Sequence, residues 1–239
     1  TYGRKYYDYS NATLIFRTPG ESIKLGINNI LTQKGLLLAF HPDLISQTSL
    51  GEHIKDYSFF FYNPEEALHL SQREKAKAVE CICNIEEELR HAIDCHSQIL
   101  ISRYIELLLD HCNRFYERQF ITRCEANKKI MKKTDVLLKD YILSGKLKYN
   151  TSPSLGYCAK ILQLSSHYFN DLLKFESGKN IDEYFESKRL EMAKSMLLDS
   201  NNTVSVVTEK LGYPNIRYFS RLFKRITGVA PNNYRLSQN

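Results

Sequence analysis

The sequence lacks several features that define other classes of protein. No apolar run approaches the roughly 20 residues that a membrane-spanning helix needs. Neither a phosphate-binding P-loop nor the Gly-x-Ser-x-Gly motif of serine hydrolases occurs. The first residues are polar, unlike a secretory signal, and the chain begins without Met. We therefore expect part of a longer cytoplasmic protein that is not an enzyme, needs no cofactor and does not enter a membrane.

The cysteines and histidines lack the spacing of a metal site. There are six cysteines in 239 residues, mostly at helical positions, which favours free thiols in a reducing compartment. His91, Cys95 and His96 lie near Cys81 and Cys83, but Cys-x-Cys on a helix points its thiols to different faces. No second ligand pair follows at zinc-site spacing. We expect helix-core cysteines, surface histidines and no metal.

Positive charge is concentrated at the end of the chain. The net charge is +6, with 18 basic and 17 acidic residues in 1–133 and nine of each in 134–199. Residues 200–239 hold six basic residues and one acidic residue. Such a concentration is typical of a surface that meets phosphate groups, although a solvated face is the alternative.

Two segments in the second half repeat one pattern. Residues 168–174 are followed by Gly178, and residues 218–224 are followed by Gly228. Apolar residues recur with the spacing of a short amphipathic helix, and each glycine stands where helices commonly end. A second short helical pattern precedes each copy, which predicts two helix-turn-helix units. The apolar residues are Phe169, Leu172, Leu173, Phe219, Leu222 and Phe223.

The second copy resembles the DNA-binding domain of the AraC/XylS family of bacterial transcription regulators. The matching stretches read LGY at 211–213, YFSRLFK at 218–224 and TGVAPNNYR at 227–235. The resemblance covers well under half of the chain. It implies double-stranded promoter DNA and RNA polymerase as partners, and a regulatory N-terminal part that binds a small-molecule effector.

The resemblance and the periodicities predict a mainly α chain with a small β segment. The DNA-binding domain, 134–239, has a first helix-turn-helix at 154–178, a linker helix at 181–199 and a second helix-turn-helix at 203–228. A helix of about 18 residues is about 27 Å long. Successive major-groove faces on one side of B-DNA lie about 34 Å apart. The linker helix is therefore expected to set both recognition helices into adjacent major grooves.

Residues 1–125 are predicted to form a partial regulatory or dimerisation domain. The β segment, 1–62, resembles the end of a cupin-like barrel whose open strand edges need cover. Its strand candidates are 13–16, 35–40 and 57–62, with short helices at 42–47 and 50–54. A basic linker, 126–133, joins this domain to a helix at 134–144.

An antiparallel helix pair is predicted over 71–122. Ser71 and Glu74 form a capping box that starts a helix to about residue 94, and a second helix runs from 97 to 121. Its apolar arc is wider than one helix covers, which favours homodimerisation through the pair or cover by the β segment. The predicted inner residues are Val79, Ile82, Ile85, Leu89, Ala92 or Ile93, Ile101, Tyr104 or Ile105, Leu108, Cys112 and Phe115.

Side chains outside the apolar stripes are candidates for contact with DNA. Arginine and asparagine can read guanine and adenine, and a lysine one turn further along suits phosphate. Asp171 stands where the second unit has Arg221, so we expect the second unit to supply most of the affinity. Tyr218 suits either the core or a phosphate contact. The predicted DNA-binding residues are Ser166, His167, Asn170, Lys174, Asn215, Arg217, Ser220, Arg221 and Lys224.

Two other functions use the same module. An alkyl-transfer DNA-repair enzyme would need an activated cysteine, and none of the six has a flanking basic motif. An adaptor would bind an acidic protein through its basic helices. The leading hypothesis is a sequence-specific transcription regulator, with activation as the expectation and repression as the alternative.

Overall fold

The computed structural model describes residues 12–21, 35–149, 152–199 and 201–237. The chain divides into two compact units, Thr1–Arg123 and Cys124–Asn239. The predicted mainly α fold with a small β segment is confirmed. No helix in the described part of the chain is both long and apolar enough to cross a membrane.

The β structure of the first unit is one antiparallel pair of strands. Strand β1 (Ala12–Leu14) pairs with β2 (Leu68–Leu70), and Thr13 lies opposite His69. Between them lie α1 (Ser49–His53) and several 3-10 turns. One two-stranded sheet in the described residues does not establish a cupin-like barrel. The 3-10 turns are Pro42–Leu44, Ile54–Asp56, Ser58–Phe61 and Pro64–Glu66.

Two of the predicted strands are wrong. Residues 35–40 form no regular element, and Leu36 and Leu37 are 64% and 81% exposed. Residues 57–62 include a 3-10 turn, because their aromatic side chains pack into a cluster instead of alternating across a sheet. In that cluster the Phe59 ring lies 4.3 Å from Phe16 and 5.4 Å from Tyr116, centroid to centroid. Aromatic residues favour strands by propensity, and tertiary packing overrode it here.

The helix pair of the first unit is present. Helix α2 (Gln72–Arg90) begins at the predicted capping box, in which the Ser71 amide donates to Glu74 Oε2 (2.8 Å). Helix α3 (Ser97–Thr122) follows and packs against α2. Its predicted inner face is confirmed, with Tyr104 half-buried beside it. The buried residues of that face are Ile101, Ile105, Leu108, Cys112 and Phe115.

The predicted inner face of α2 is only partly confirmed. Ala78, Cys81 and Ile85 are buried. Leu89 and Ile93 are 56% and 75% exposed, and the helix ends at Arg90, before Ile93. Ile85 is buried as predicted, whereas Ala78 and Cys81 are buried in place of Val79 and Ile82, which are half-buried.

Polar side chains of α3 hold β2 in place. Gln119 accepts from the His69 amide (2.9 Å) and donates to the Ala67 carbonyl (3.2 Å). Arg118 donates to the His69 carbonyl (2.7 Å) and to Glu74 Oε1 (2.6 Å). These bonds satisfy backbone groups that a two-stranded sheet leaves without a partner strand.

The second unit is helical throughout its described elements. Its first helix, α4, includes the predicted linker, 126–133, so that segment is helical and belongs to this unit. The linker contains no Gly or Pro, and its Lys, Ala and Met residues are good helix formers. The helices are α4 (Cys124–Leu143), α5 (Leu155–Leu162), α6 (Ser166–Ser177), α7 (Ile181–Leu198), α8 (Val204–Lys210), α9 (Ile216–Thr227) and α10 (Pro231–Ser237).

Helix α7 is the predicted linker helix, and α4 packs against it. Asn180 and Glu183 form a capping box at its start. The Tyr184 hydroxyl donates to Asp135 Oδ1 (2.7 Å), and Lys188 Nζ lies 3.1 Å from the same oxygen. Because both bonds reach α4, the N-terminal half of α7 is fixed against the rest of the unit.

Candidate nucleic-acid interface

The first helix-turn-helix consists of α5 and α6. Serine hydroxyls cap both helices: the Tyr157 amide donates to Ser154 Oγ and the Tyr168 amide to Ser165 Oγ, each at 3.2 Å. Between the helices, Gln163 has φ +57°, the left-handed conformation that ends α5. The predicted apolar stripe of α6 is confirmed, since Phe169, Leu172 and Leu173 are fully buried.

The second helix-turn-helix consists of α8 and α9 and repeats this construction. The Val206 amide donates to Thr203 Oγ1 (3.2 Å), and the Tyr218 amide donates to Asn215 Oδ1 (2.8 Å). Gly212 has φ +68° at the position that matches Gln163. Phe219, Leu222 and Phe223 are buried, as the repeated pattern predicted.

The turn of the second helix-turn-helix leaves no space for a side chain at Gly212. A Cβ there would lie 2.5 Å from Leu147 Cβ and 2.7 Å from the Leu147 carbonyl oxygen. Leu147 is buried in the 3-10 turn Lys146–Tyr149, which follows α4. The segment before the first helix-turn-helix therefore packs directly against the turn of the second.

A half-buried arginine ties α7 to the second helix-turn-helix. The Arg189 guanidinium donates twice to the Leu211 carbonyl (2.6 and 3.1 Å) and pairs with Glu186 (2.9 Å). It lies 4.0 Å from the centroid of the Tyr213 ring, and the Tyr213 hydroxyl donates to Glu186 Oε1 (2.8 Å). A planar guanidinium can stack and bond in this way at once. Near the other end of α7, Arg235 donates to the carbonyls of Leu197 (2.9 Å) and Asn202.

The predicted DNA-binding residues lie at or near the surface of the two recognition helices, α6 and α9. Ser166, Asn170 and Ser220 are half-buried, and the other six are exposed. Asn215 serves as the N-cap of α9, so its side-chain oxygen is engaged before any ligand arrives. Arg225, also exposed, was missed by the sequence prediction, although it follows Lys224 on the same basic turn.

The exposed faces of the two recognition helices differ in charge. On α9, Arg217, Arg221 and Lys224 are exposed together. On α6, Asp171 occupies the position of Arg221 and accepts from Asn170 Nδ2 (3.3 Å). A polyanion would therefore meet a more favourable field at α9.

Tyr218 is exposed and not part of the core. Its side chain is 52% exposed, whereas Tyr168, the matching residue of α6, is 4% exposed. The ring centroid of Tyr218 lies 6.4 Å from that of Tyr213. The turn from Gly212 to Tyr218 is one residue longer than the matching turn from Gln163 to Tyr168. The exposed position of Tyr218 agrees with the phosphate-contact alternative.

Burial disfavours the thiolate at three of the cysteines. Burial raises the pKa of Cys112 to about 12 and that of Cys158 to about 11, and it also raises the pKa of Cys81. A higher pKa leaves less thiolate, the form that accepts an alkyl group. Cys83 and Cys95 are exposed, so helix-core packing does not account for every cysteine. Among the described residues, no three His, Cys, Asp or Glu side chains are grouped to hold a metal ion.

Two helix-turn-helix units fixed to one helix, one of them with a basic recognition face, define a DNA-binding protein of the helix-turn-helix class. A family model described as a helix-turn-helix domain matches residues 158–237. The match supports the resemblance of residues 158–237 to the DNA-binding domain of the AraC/XylS family of transcription regulators.

Known proteins with similar sequences are transcription regulators. The chain is 39% identical over 77 residues to the HTH-type transcriptional regulator YobQ of Bacillus subtilis (strain 168), which covers 32% of each protein. It is 34% identical over 89 residues to the raffinose operon transcriptional regulatory protein RafR of Pediococcus pentosaceus, covering 37% of this chain and 32% of that protein. The chain thus spans about a third of the length of both relatives.

Among solved structures, the chain is similar to the C-terminal domain of AraT, a response regulator from Geobacillus stearothermophilus. The identity is 28% and the TM-score is 0.34, over 44% of this chain and 84% of that one.

Proposed function

We propose that this chain is a sequence-specific transcription regulator of AraC/XylS type that binds promoter DNA through residues 134–239. The observation that carries the proposal is the pair of helix-turn-helix units held by one helix, with arginine and lysine exposed on α9. The second helix of such a unit is the one that enters a major groove. Helices α6 and α9 are therefore the two recognition helices.

The proposed mode of binding places α6 and α9 in adjacent major grooves on one side of the duplex. Helix α7 has 18 residues and is about 27 Å long, which is comparable with the groove repeat of about 34 Å. Its bonds to α4, to the turn of the second unit and to Arg235 support a rigid connection. Rigidity matters because a flexible connector would not keep the spacing and orientation of α6 relative to α9 fixed.

The two units have unequal parts in this proposal. The first and second blocks are the DNA segments bound by α6 and α9. In the second block, Arg217 and Arg221 contact bases, and Lys224 and Arg225 contact phosphate. In the first block, Ser166, His167 and Asn170 supply weaker contacts beside Asp171, with Lys174 near the backbone. Most of the affinity therefore comes from α9.

The remaining parts of the proposal concern assembly and response. The chain forms a homodimer through α2 and α3, receives a small-molecule effector on residues 1–125 and activates transcription through contact with RNA polymerase in the cytoplasm. Exposed apolar residues on α3 support the dimer: Leu100, Leu107 and Ile121 are each at least 40% exposed, although Arg114 interrupts their seven-residue spacing.

Selection of bound fragments from a random DNA pool, at a stated salt concentration, tests the proposal. We expect two enriched blocks whose centres lie about one helical turn apart, roughly 10 base pairs. A pool without enrichment would contradict sequence-specific reading. If the same protein bound an acidic protein tightly and no DNA, the adaptor function would replace this one.

A further inference from the structure

Recognition helix α9 begins with an exposed aliphatic residue. Ile216 is the first residue of the helix and is 45% exposed. The neighbouring Asn215 and Arg217 are exposed as well, and Ser220 lies one turn further along the same side. A single exposed aliphatic residue is common on protein surfaces, so its position must carry the argument.

The position of Ile216 is the part of the helix that meets base edges. In helix-turn-helix proteins the N-terminal residues of the recognition helix contact bases, and the rest of the helix runs along the groove. The Asn215 side chain fixes this first turn by accepting from the Tyr218 amide (2.8 Å). Ile216 is therefore presented by a capped, ordered turn and not by a frayed helix end.

The charge around Ile216 favours DNA as the surface that covers it. Arg217, Arg221 and Lys224 are exposed on the same helix. An apolar protein surface would have to leave these cations beside it without partners, whereas a duplex supplies phosphate and base acceptors for them. The apolar group that base pairs present in the major groove is the C5-methyl group of thymine.

We propose that Ile216 contacts a thymine methyl group in the block bound by the second helix-turn-helix. This inference rests on the proposed function, and it adds a specificity-determining residue outside the predicted set. The matching residue of the first unit is Ser166, which offers a hydroxyl group and no branched aliphatic surface. The methyl preference is therefore specific to the block of α9.

Deoxyuridine provides the test, because it differs from thymidine only by the missing methyl group. Each thymine of the selected second block is replaced in turn by deoxyuridine, and the Kd of the full chain is measured by fluorescence anisotropy at fixed salt. The second block is the one whose enrichment disappears for Arg221→Ala. For the wild-type chain, one replacement should weaken binding on the order of fourfold, as expected for one buried methyl group.

Two variants separate methyl reading from general weakening. Ile216→Ser, which introduces the residue of the first unit, should bind both duplexes equally. Ile216→Val keeps a branched aliphatic side chain and should keep the sensitivity to deoxyuridine. Thermal unfolding of all three proteins controls for loss of structure.

Several results would overturn the inference while leaving the proposed function intact. These are a wild-type chain insensitive to every replacement, an Ile216→Ser variant with undiminished sensitivity, or a second block without any A·T pair. A selection without enriched blocks would instead refute the proposed function, and this inference with it.

Discussion

At the scale of single residues, the backbone conformation at the two turns can be compared directly. Gly212 and Gln163 occupy matching left-handed positions, with φ of +68° and +57°. Glycine adopts this region without steric cost, whereas for other residues it costs roughly 1–2 kcal/mol. Only at Gly212 does a neighbour, Leu147, also fill the space of a side chain.

We predict that Gly212→Ala destabilises the second helix-turn-helix by about 2–4 kcal/mol. The loss comes from the conformational cost and from the overlap with the backbone of Leu147. Gly228→Ala is the matched control, because Gly228 has φ +81° and no atom lies within 4 Å of the point that an alanine Cβ would occupy. It should lose only the conformational cost, about 1–2 kcal/mol. Urea unfolding of both variants measures the difference, and equal losses would contradict the packing argument.

His69 gives the first unit a dependence on pH. Its pKa is lowered from 6.5 by burial and then by Arg123 and Arg118, and its Nε2 atom is buried with no partner among the described groups. The folded state therefore binds fewer protons than the unfolded state around this pKa. The contribution of neutral His69 to the free energy of unfolding is fully present above pH 6.5, and it is lost as the pH falls below that value.

We predict that His69→Asn flattens the pH dependence of unfolding as the pH falls below 6.5. The asparagine can keep a polar atom near Thr13 Oγ1, which lies 3.2 Å from His69 Nδ1. Thermal unfolding across that range measures the slope. An unchanged slope in the variant would assign the effect to other groups.

At the scale of elements, helix α7 is the part that makes the two helix-turn-helix units one body. Its contact with the second of them depends on Arg189, whose side chain is 14% exposed and makes three hydrogen bonds while stacking on Tyr213. Lysine has the same charge but neither the planar fork nor the stacking surface.

Arg189→Lys should therefore destabilise the second helix-turn-helix by about 1–3 kcal/mol, since it leaves the Leu211 carbonyl poorly satisfied. The control is Arg225→Lys, at an exposed position of α9, which should change stability by less than about 0.5 kcal/mol. Chemical denaturation compares the two. If Arg189→Lys were as mild as the control, the hydrogen bonds from α7 would not hold the second helix-turn-helix.

At the scale of the whole molecule, the uneven charge of the two recognition helices predicts uneven roles in binding. Arg221→Ala should weaken binding to the selected duplex by about 1–3 kcal/mol, the range for loss of a bidentate base contact. His167→Ala, the control on α6, should cost much less. Titrations at several salt concentrations measure both, and equal losses would show that charge does not set the division.

Much of this organisation was predictable because it depends on near neighbours in sequence. The cap at Ser71, the stripes of α6 and α9 and the bounds of α7 follow from spacing and capping within a few residues. The strand candidates at 35–40 and 57–62 failed because pairing in a sheet is non-local, and residues 57–62 instead pack against Tyr116. Local propensity does not reveal such a partner.

By itself, the sequence determined that two similar helical units recur and that the second is basic, since repetition and charge are written in residue order. Only the tertiary structure decided that Tyr218 is exposed where Tyr168 is buried, that Gly212 lies against Leu147 and that Ile216 is exposed beside Arg217. Each of these depends on which distant segments come together. Exposure and close approach are properties of the packed chain, and so the candidate reading surface became complete only with the fold.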